Sequence, residues 1–269
     1  MAVKQKILDL LEQNRGKFVS GSEAARQIGA TRSAVWKAVS SLRAEGYDIS
    51  AVTNRGYCLN ESSEILSEQG ISELLTTKEI GRKLDIFKGS DSSADFARSI
   101  AALGAAHGMT IISRNFEKPV RRRVNSAASD DTGIYMSIII RRSVPENKID
   151  QIRMAAAAAA AETIAAETGL PCGVSGNFLV CGGKNVGYYD FEAVADKDSD
   201  FLIYGIADIG ICVSAGGNKG KFTPLRSVTT AVIRKNRLSA GIMNRLEEYI
   251  GEQDISKTAE RFNELKIIE

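Results

Sequence analysis

Two groups of side chains in this 269-residue chain have types and spacings that suit chemistry with anions. One is the run Lys118-Pro119-Val120-Arg121-Arg122-Arg123, in which three adjacent guanidiniums can bind a phosphate or carboxylate, or else form a solvated basic turn. The other is Thr31, Arg32, Ser33, Ala34, Trp36 and Lys37, with Asn54 and Arg55 further on. Most of these are cations, hydroxyls or an amide of the kind that meet DNA phosphates and base edges; Ala34 and Trp36 lie among them. The four cysteines, Cys58, Cys172, Cys181 and Cys212, form no CxxC pair, and the single histidine, His107, lies far from all of them in sequence. That spacing argues against a zinc site or a disulfide framework and for reduced thiols in a cytoplasmic protein. His107, beside Gly108, is expected to cap the turn before the strand at Met109, with no catalytic part.

The second group needs a scaffold, and the flanking sequence supplies one. Val3 to Gln13 places Ile7, Leu10 and Leu11 on one helical face. Ser20-Gly21-Ser22-Glu23 is a capping box for a short helix through Ala24, Ala25 and Ile28, which Gly29 ends. Thr31 caps a third helix with Val35, Val39 and Leu42 facing the core, and Gly46 stops it. Tyr47 to Val52 and Tyr57 to Leu59 read as two strands joined by the turn Thr53-Asn54-Arg55-Gly56. Three helices closed by a hairpin predict a winged helix-turn-helix over residues 1–62. Its third helix would present Arg32, Ser33, Trp36 and Lys37 to double-stranded DNA, and its wing tip Asn54 and Arg55. Trp36 has a packing alternative, since tryptophan more often packs than reads bases.

Charge agrees with that assignment. Residues 1–60 carry nine Lys and Arg against five Asp and Glu, a net +4 (9 − 5). The whole chain carries +2, so the remainder carries −2. A local positive excess is the electrostatic footprint of phosphate contact. No apolar run is long enough to span a bilayer, and charges interrupt Met1 to Leu11, so neither membrane partner nor secretory signal is expected.

Residues 63–269 alternate apolar strands (Met109–Ile112, Ile134–Ile140) with helical segments, predicting an α/β (α+β) domain built on a mixed sheet. The long helix Ile149 to Thr168 contains the run Ala155–Ala161, which reads either as close packing on the sheet or, for most of the run, as plain helix propensity.

The stretch Ala30-Thr31-Arg32-Ser33-Ala34-Val35-Trp36-Lys37, followed by Asn54-Arg55-Gly56-Tyr57-Cys58-Leu59, resembles the DNA-binding domain of the bifunctional biotin operon repressor and biotin–protein ligase family. Gly133-Ile134-Tyr135-Met136-Ser137 and the long helix after it resemble that family's catalytic domain. The resemblance implies a homodimer on a two-fold operator, with biotin, ATP and biotinyl-AMP as ligands if the family site is still used. It weakens beyond Val213, where two helix-like segments (Arg237–Ile250 and Ser256–Leu265) stand in place of the family's small C-terminal β-barrel. The implied ligand positions are altered in this sequence. The family's Ser-Thr-Asn falls on Ser92-Ser93-Ala94 and its glutamine on Asn115. Its glycine-rich arginine loop falls on the run Lys118 to Val124, where Arg121 matches one of the loop's arginines and every glycine is gone. Its KWPND falls on Val174-Ser175-Gly176-Asn177-Phe178, and its essential lysine on Asn185, with Lys184 one residue earlier. Asp208 brings a carboxyl into the stretch resembling GIGINVN. These changes remove cations and backbone freedom that adenylate chemistry needs. The sequence therefore predicts a transcriptional regulator whose degenerate ligase-like domain serves for dimerisation and for sensing a small-molecule effector. The alternative is an active biotin–carrier-protein ligase, or a related acyl-adenylate transferase, using Arg121, Arg122 or Lys184. A third reading is a protein-interaction module that does not touch DNA.

Overall fold

The computed structural model describes residues 3–44, 47–60, 65–87, 92–114, 132–142, 149–195, 202–214, 222–251 and 256–267. They form two compact units, residues 1–74 and 75–269.

The N-terminal unit orders α1 (Val3–Gln13), α2 (Gly21–Ile28), α3 (Arg32–Ala44), β1 (Ile49–Val52), β2 (Gly56–Leu59) and α4 (Glu68–Ser72). The capping signals act as read. Ser20 Oγ accepts from Glu23 N at 3.1 Å, Gly29 takes the left-handed conformation and its N–H bonds Ala25 O, and Thr31 Oγ1 accepts from Ala34 N at 3.1 Å. Ile7, Leu8, Leu11, Val35, Val39, Leu42 and Leu59 meet in one core. The strands β1 and β2 pair antiparallel, and a single bridge between Val19 and Tyr57 adds a third short rung. Gly46, expected as the helix stop, lies outside the described residues. The boundary differs from residue 62. Ile65 packs on the winged-helix core, Leu66 and Ile71 are fully buried, and Ser67 caps α4. The segment after the wing is too short for a helical period to be visible, so its attachment to the first unit is not legible in the sequence.

In the second unit a seven-stranded sheet has the order β3 (Leu84–Phe87), β4 (Thr110–Ser113), β5 (Gly133–Ile140), β9 (Leu202–Cys212), β8 (Lys184–Ala195), β7 (Phe178–Cys181), β6 (Cys172–Ser175). Only β3 and β4 pair in parallel; the other neighbours are antiparallel. Helix α5 (Ser93–Ala102) covers one face, packing Ala97 and Ala101 on Ile111, Ile139 and Ile206. Helices α6 (Ile149–Thr168), α8 (Lys235–Gly251) and α9 (Ser256–Leu265) cover the other, where Tyr189 of β8 meets Phe262 of α9. A short α7 (Leu225–Val228) precedes α8. Covered on both faces, β5 is buried at every position, which is why Gly133 to Ile140 shows an apolar run instead of strict alternation.

The alanine run corrects the sequence reading. Every residue from Ala155 to Ala161 is buried, so the run is a packing surface around its whole circumference and helix propensity is not its main reason. Small side chains let α6 approach the sheet on one side and α8 and α9 on the other. The cysteine spacing also concealed a contact. Cys172 and Cys181 stand directly opposite each other on β6 and β7, both buried as free thiols, and burial pushes the Cys172 thiol well above its ordinary range. His107 accepts the Arg141 N–H through Nδ1 at 3.0 Å, joining the turn before β4 to the end of β5.

Candidate nucleic-acid interface and ligase-like pocket

The candidate interface lies on the N-terminal unit. On α3 the apolar positions Val35, Ala38, Val39 and Leu42 are buried, and the opposite face exposes Arg32, Ser33, Trp36 and Lys37. Ala34 is half-buried between them. Thr31 is exposed, but its hydroxyl already caps the helix, so its first duty is structural. Other cations of this unit are engaged elsewhere: Arg15 pairs with Glu12 at 2.6 Å and Arg26 with Glu23 at 2.7 Å. The exposed cations in the first turns of α3 are Arg32 and Lys37, while Arg43 in its last turn donates to Ile49 O at 2.7 Å. Trp36 is 59% exposed, on the outer face of α3 where the sequence reading put it.

The wing is held in place by two local devices. Asn54 sits at φ +64°, a conformation asparagine tolerates better than most residues, and Arg55 N closes the turn onto Val52 O at 3.1 Å. Gly56 has φ +100°, and a Cβ there would lie 2.1 Å from Val19 O, so only glycine lets β2 bridge to Val19. The Arg55 guanidinium lies 4.3 Å over the Phe18 ring, which orients the wing tip. Between wing and helix runs an open groove of about 730 Å³, lined by Ser20, Ser22, Arg32, Ser33, Trp36 and Asn54 among others. The structure thus brings Arg32, Ser33 and Trp36 of α3 and Asn54 of the wing to one groove, and Thr31, Ala34, Lys37 and Arg55 are not among the residues that line it.

In the second unit the residues matched to the family's ligand site follow a different course. Ser92 is the N-cap of α5, its Oγ accepting from Asp95 N at 3.2 Å. Ser93 is buried, and its Oγ lies 2.9 Å from Ser137 Oγ on β5. Ser137 Oγ lies in turn 2.9 Å from Asp208 Oδ1 on β9. One hydroxyl carries one proton, so Ser137 donates to the ionised carboxylate and Ser93 donates to Ser137. Tyr188 on β8 also hydrogen-bonds Asp208. Burial raises the Asp208 carboxyl to about 6, against the lowering effect of the Ser137 and Tyr188 hydrogen bonds. Asp190, directly opposite on β8, adds a second negative charge. At the rim, Arg98 of α5 bonds Glu192 at 2.5 Å and also pairs with Asp95.

Neither Ser137 nor Tyr188 stands out as a site residue in the sequence. The signal is present in the alternation: Ser137 and Asp208 are polar positions inside apolar runs, and they face one another across β5 and β9. Lys184 and Asn185 are both exposed, at the start of β8 just after the tight Gly182-Gly183 turn. In the loop matched to KWPND, Gly176 O accepts the Tyr189 hydroxyl at 2.6 Å. Asn115, Arg121 and Arg122 lie outside the described residues. Among the described residues no cluster of three or more His, Cys, Asp or Glu suits a metal, and no helix is long and apolar enough to cross a membrane.

A family model described as an HTH domain matches residues 3–58. The chain is 30% identical over 206 residues to the bifunctional ligase/repressor BirA of Bacillus spizizenii, covering 75% of this chain and 63% of that one. It is 28% identical over 221 residues to BirA of Bacillus subtilis, covering 80% and 66%. It therefore spans just under two thirds of the length of these curated relatives. Among solved structures it resembles a biotin protein ligase-like protein of unknown function from Silicibacter sp. TM1040 (TM-score 0.56, 14% identity, covering 71% of this chain and 78% of that one). It also resembles the Leishmania major biotin protein ligase in complex with biotinyl-5-AMP (TM-score 0.53, 13% identity, 70% and 85%). At those identities the structural likeness establishes the fold of the second unit as that of biotin protein ligases.

Proposed function

Because the chain belongs to the biotin repressor/ligase family, we propose that it is a cytoplasmic, DNA-binding transcriptional regulator. In this reading it acts as a homodimer whose ligase-like domain dimerises and senses a small effector in place of transferring biotin. One observation carries the DNA-binding part: Arg32, Ser33, Trp36 and Lys37 form a single exposed face on α3, and Asn54 of the wing lines the same groove as Arg32, Ser33 and Trp36. A dimer would place two such heads on half-sites one helical turn apart. The loss of ligase activity is supported by how the Ser92 and Ser93 hydroxyls are already spent, on a helix cap and on the Ser137–Asp208 network. A carboxylate there opposes the negative charge of a carboxylate or phosphate ligand.

The test has two arms. Fluorescence anisotropy with a random-sequence duplex in dilute salt should show binding that weakens linearly in log K against log salt. Incubation with biotin, ATP and a biotin carrier protein should yield no biotinyl-adenylate and no labelled carrier. Turnover in that assay would overturn the regulator-only reading. It would favour the bifunctional one, which the names of the Bacillus relatives support.

A further inference from the structure

We propose that Trp36 reads thymine methyl groups in the major groove, so that each half-site of the operator carries T·A pairs opposite the middle of α3. This rests on the DNA-binding reading above and names the base chemistry of that surface.

Trp36 is the most exposed aromatic ring among the described residues, at 59% against 38% for Phe96 and 39% for Phe178. An indole left in water forgoes the stabilisation that burial of an aromatic side chain brings. Nothing in α3 requires it there, because Val35, Ala38, Val39 and Leu42 already supply the buried face. Its surroundings favour one class of partner. On α3 it lies between Arg32 and Ser33 on one side and Lys37 on the other, and Asn54 lines the same groove. Only Val52, 42% exposed, adds another exposed large apolar side chain along that groove. A protein partner would meet a broad apolar patch. A single ring among cations and polar groups suits a polyanion that offers isolated apolar points. In the major groove the thymine C5-methyl is that point, and the other base edges present hydrogen-bonding groups. Arg32 and Lys37 would hold the phosphates while the indole covers the methyl.

The experiment uses the full-length protein. Duplexes are selected from a random-sequence library, and each thymine in a selected site is replaced in turn by deoxyuridine, which differs only in lacking the methyl. Affinity should fall about fourfold at each contacted thymine, the effect of one buried methyl-sized group at about 0.8 kcal/mol. Trp36→Ala should abolish the thymine–uracil difference with an unchanged salt slope and an unchanged melting temperature, and Trp36→Phe should retain part of it. Equal affinity for thymine and deoxyuridine sites, or an undiminished difference in Trp36→Ala, would overturn the inference while leaving duplex binding intact. Tighter binding to single strands than to duplex would also overturn it, and would assign Trp36 to base stacking. Failure of the wild type to bind any duplex in dilute salt would overturn the DNA-binding reading itself, and this inference with it.

Discussion

Ser137 and Asp208 face each other in register across β5 and β9, their Oγ and Oδ1 atoms 2.9 Å apart, Ser137 buried and Asp208 half-buried. The pair places an ionisable carboxyl on a central strand, and its cost to stability depends on pH. The ordinary aspartate value is 3.8 and burial raises the folded-state value to about 6. Between those values the native state holds more protons than the unfolded one, so stability falls as pH rises through that window and is level above it. Asp208→Asn, which keeps the shape of the protonated acid, should therefore stabilise the protein above pH 6 by up to about 3 kcal/mol. The gain should vanish near pH 4. Urea melts at pH 4, 6 and 8 check it; a stabilisation that is the same at all three would show that the carboxyl does not titrate there.

Glu247 on α8 has the opposite sign. Its carboxylate accepts the backbone N–H groups of Lys78, Glu79 and Ile80, the last at 2.7 Å. Burial pushes its carboxyl up, but those three hydrogen bonds and nearby His107 outweigh burial and hold it below its usual range. The stability it contributes is present above the unfolded carboxylate value near 4.5 and is lost as pH falls through the lower folded value. Glu247→Gln should cost about 1–3 kcal/mol at pH 7, with the cost shrinking below pH 4, as read by denaturant melts. Amide hydrogen exchange at Lys78 to Ile80 should quicken in the same variant.

Two glycines with positive φ should respond differently to alanine. At Gly29, φ is +69° but no atom lies within 4 Å of the place an added methyl would take, so the cost is the backbone strain of about 1–2 kcal/mol. At Gly56 the methyl would also meet Val19 O at 2.1 Å, so the wing must shift and the cost should reach about 3 kcal/mol or more. Thermal melts of the two variants give the comparison. DNA affinity should fall far more for Gly56→Ala, because the wing carries Asn54 and Arg55.

Arg32, Lys37 and Arg55 are predicted to act on phosphates. Each single alanine variant should lower duplex affinity similarly for all sequences and reduce the slope of log K against log salt by about 1. Titrations at several salt concentrations measure both. A variant that leaves the slope intact removes that residue from the phosphate contacts.

What could be read directly from the chain was what local chemistry determines. Ser20, Glu23, Gly29 and Thr31 mark helix ends because capping is a matter of a few neighbouring atoms, and Asn54-Arg55-Gly56 marks the hairpin because positive φ favours asparagine and glycine. Periodicity over α1 and α3 showed which face is apolar and therefore which side chains face outward. Tertiary structure decided what depends on partners distant in sequence. Whether Trp36 packs or stands in water depends on the whole unit around it. Whether the alanines of α6 are buried depends on α8 and α9, and whether α4 with its Ile71 joins the first unit depends on α1. The approach of Ser93, Ser137, Tyr188 and Asp208, and of Cys172 to Cys181, depends on strand order and register. Sequence periodicity constrains register through which face is buried, but it does not say which strand lies alongside which.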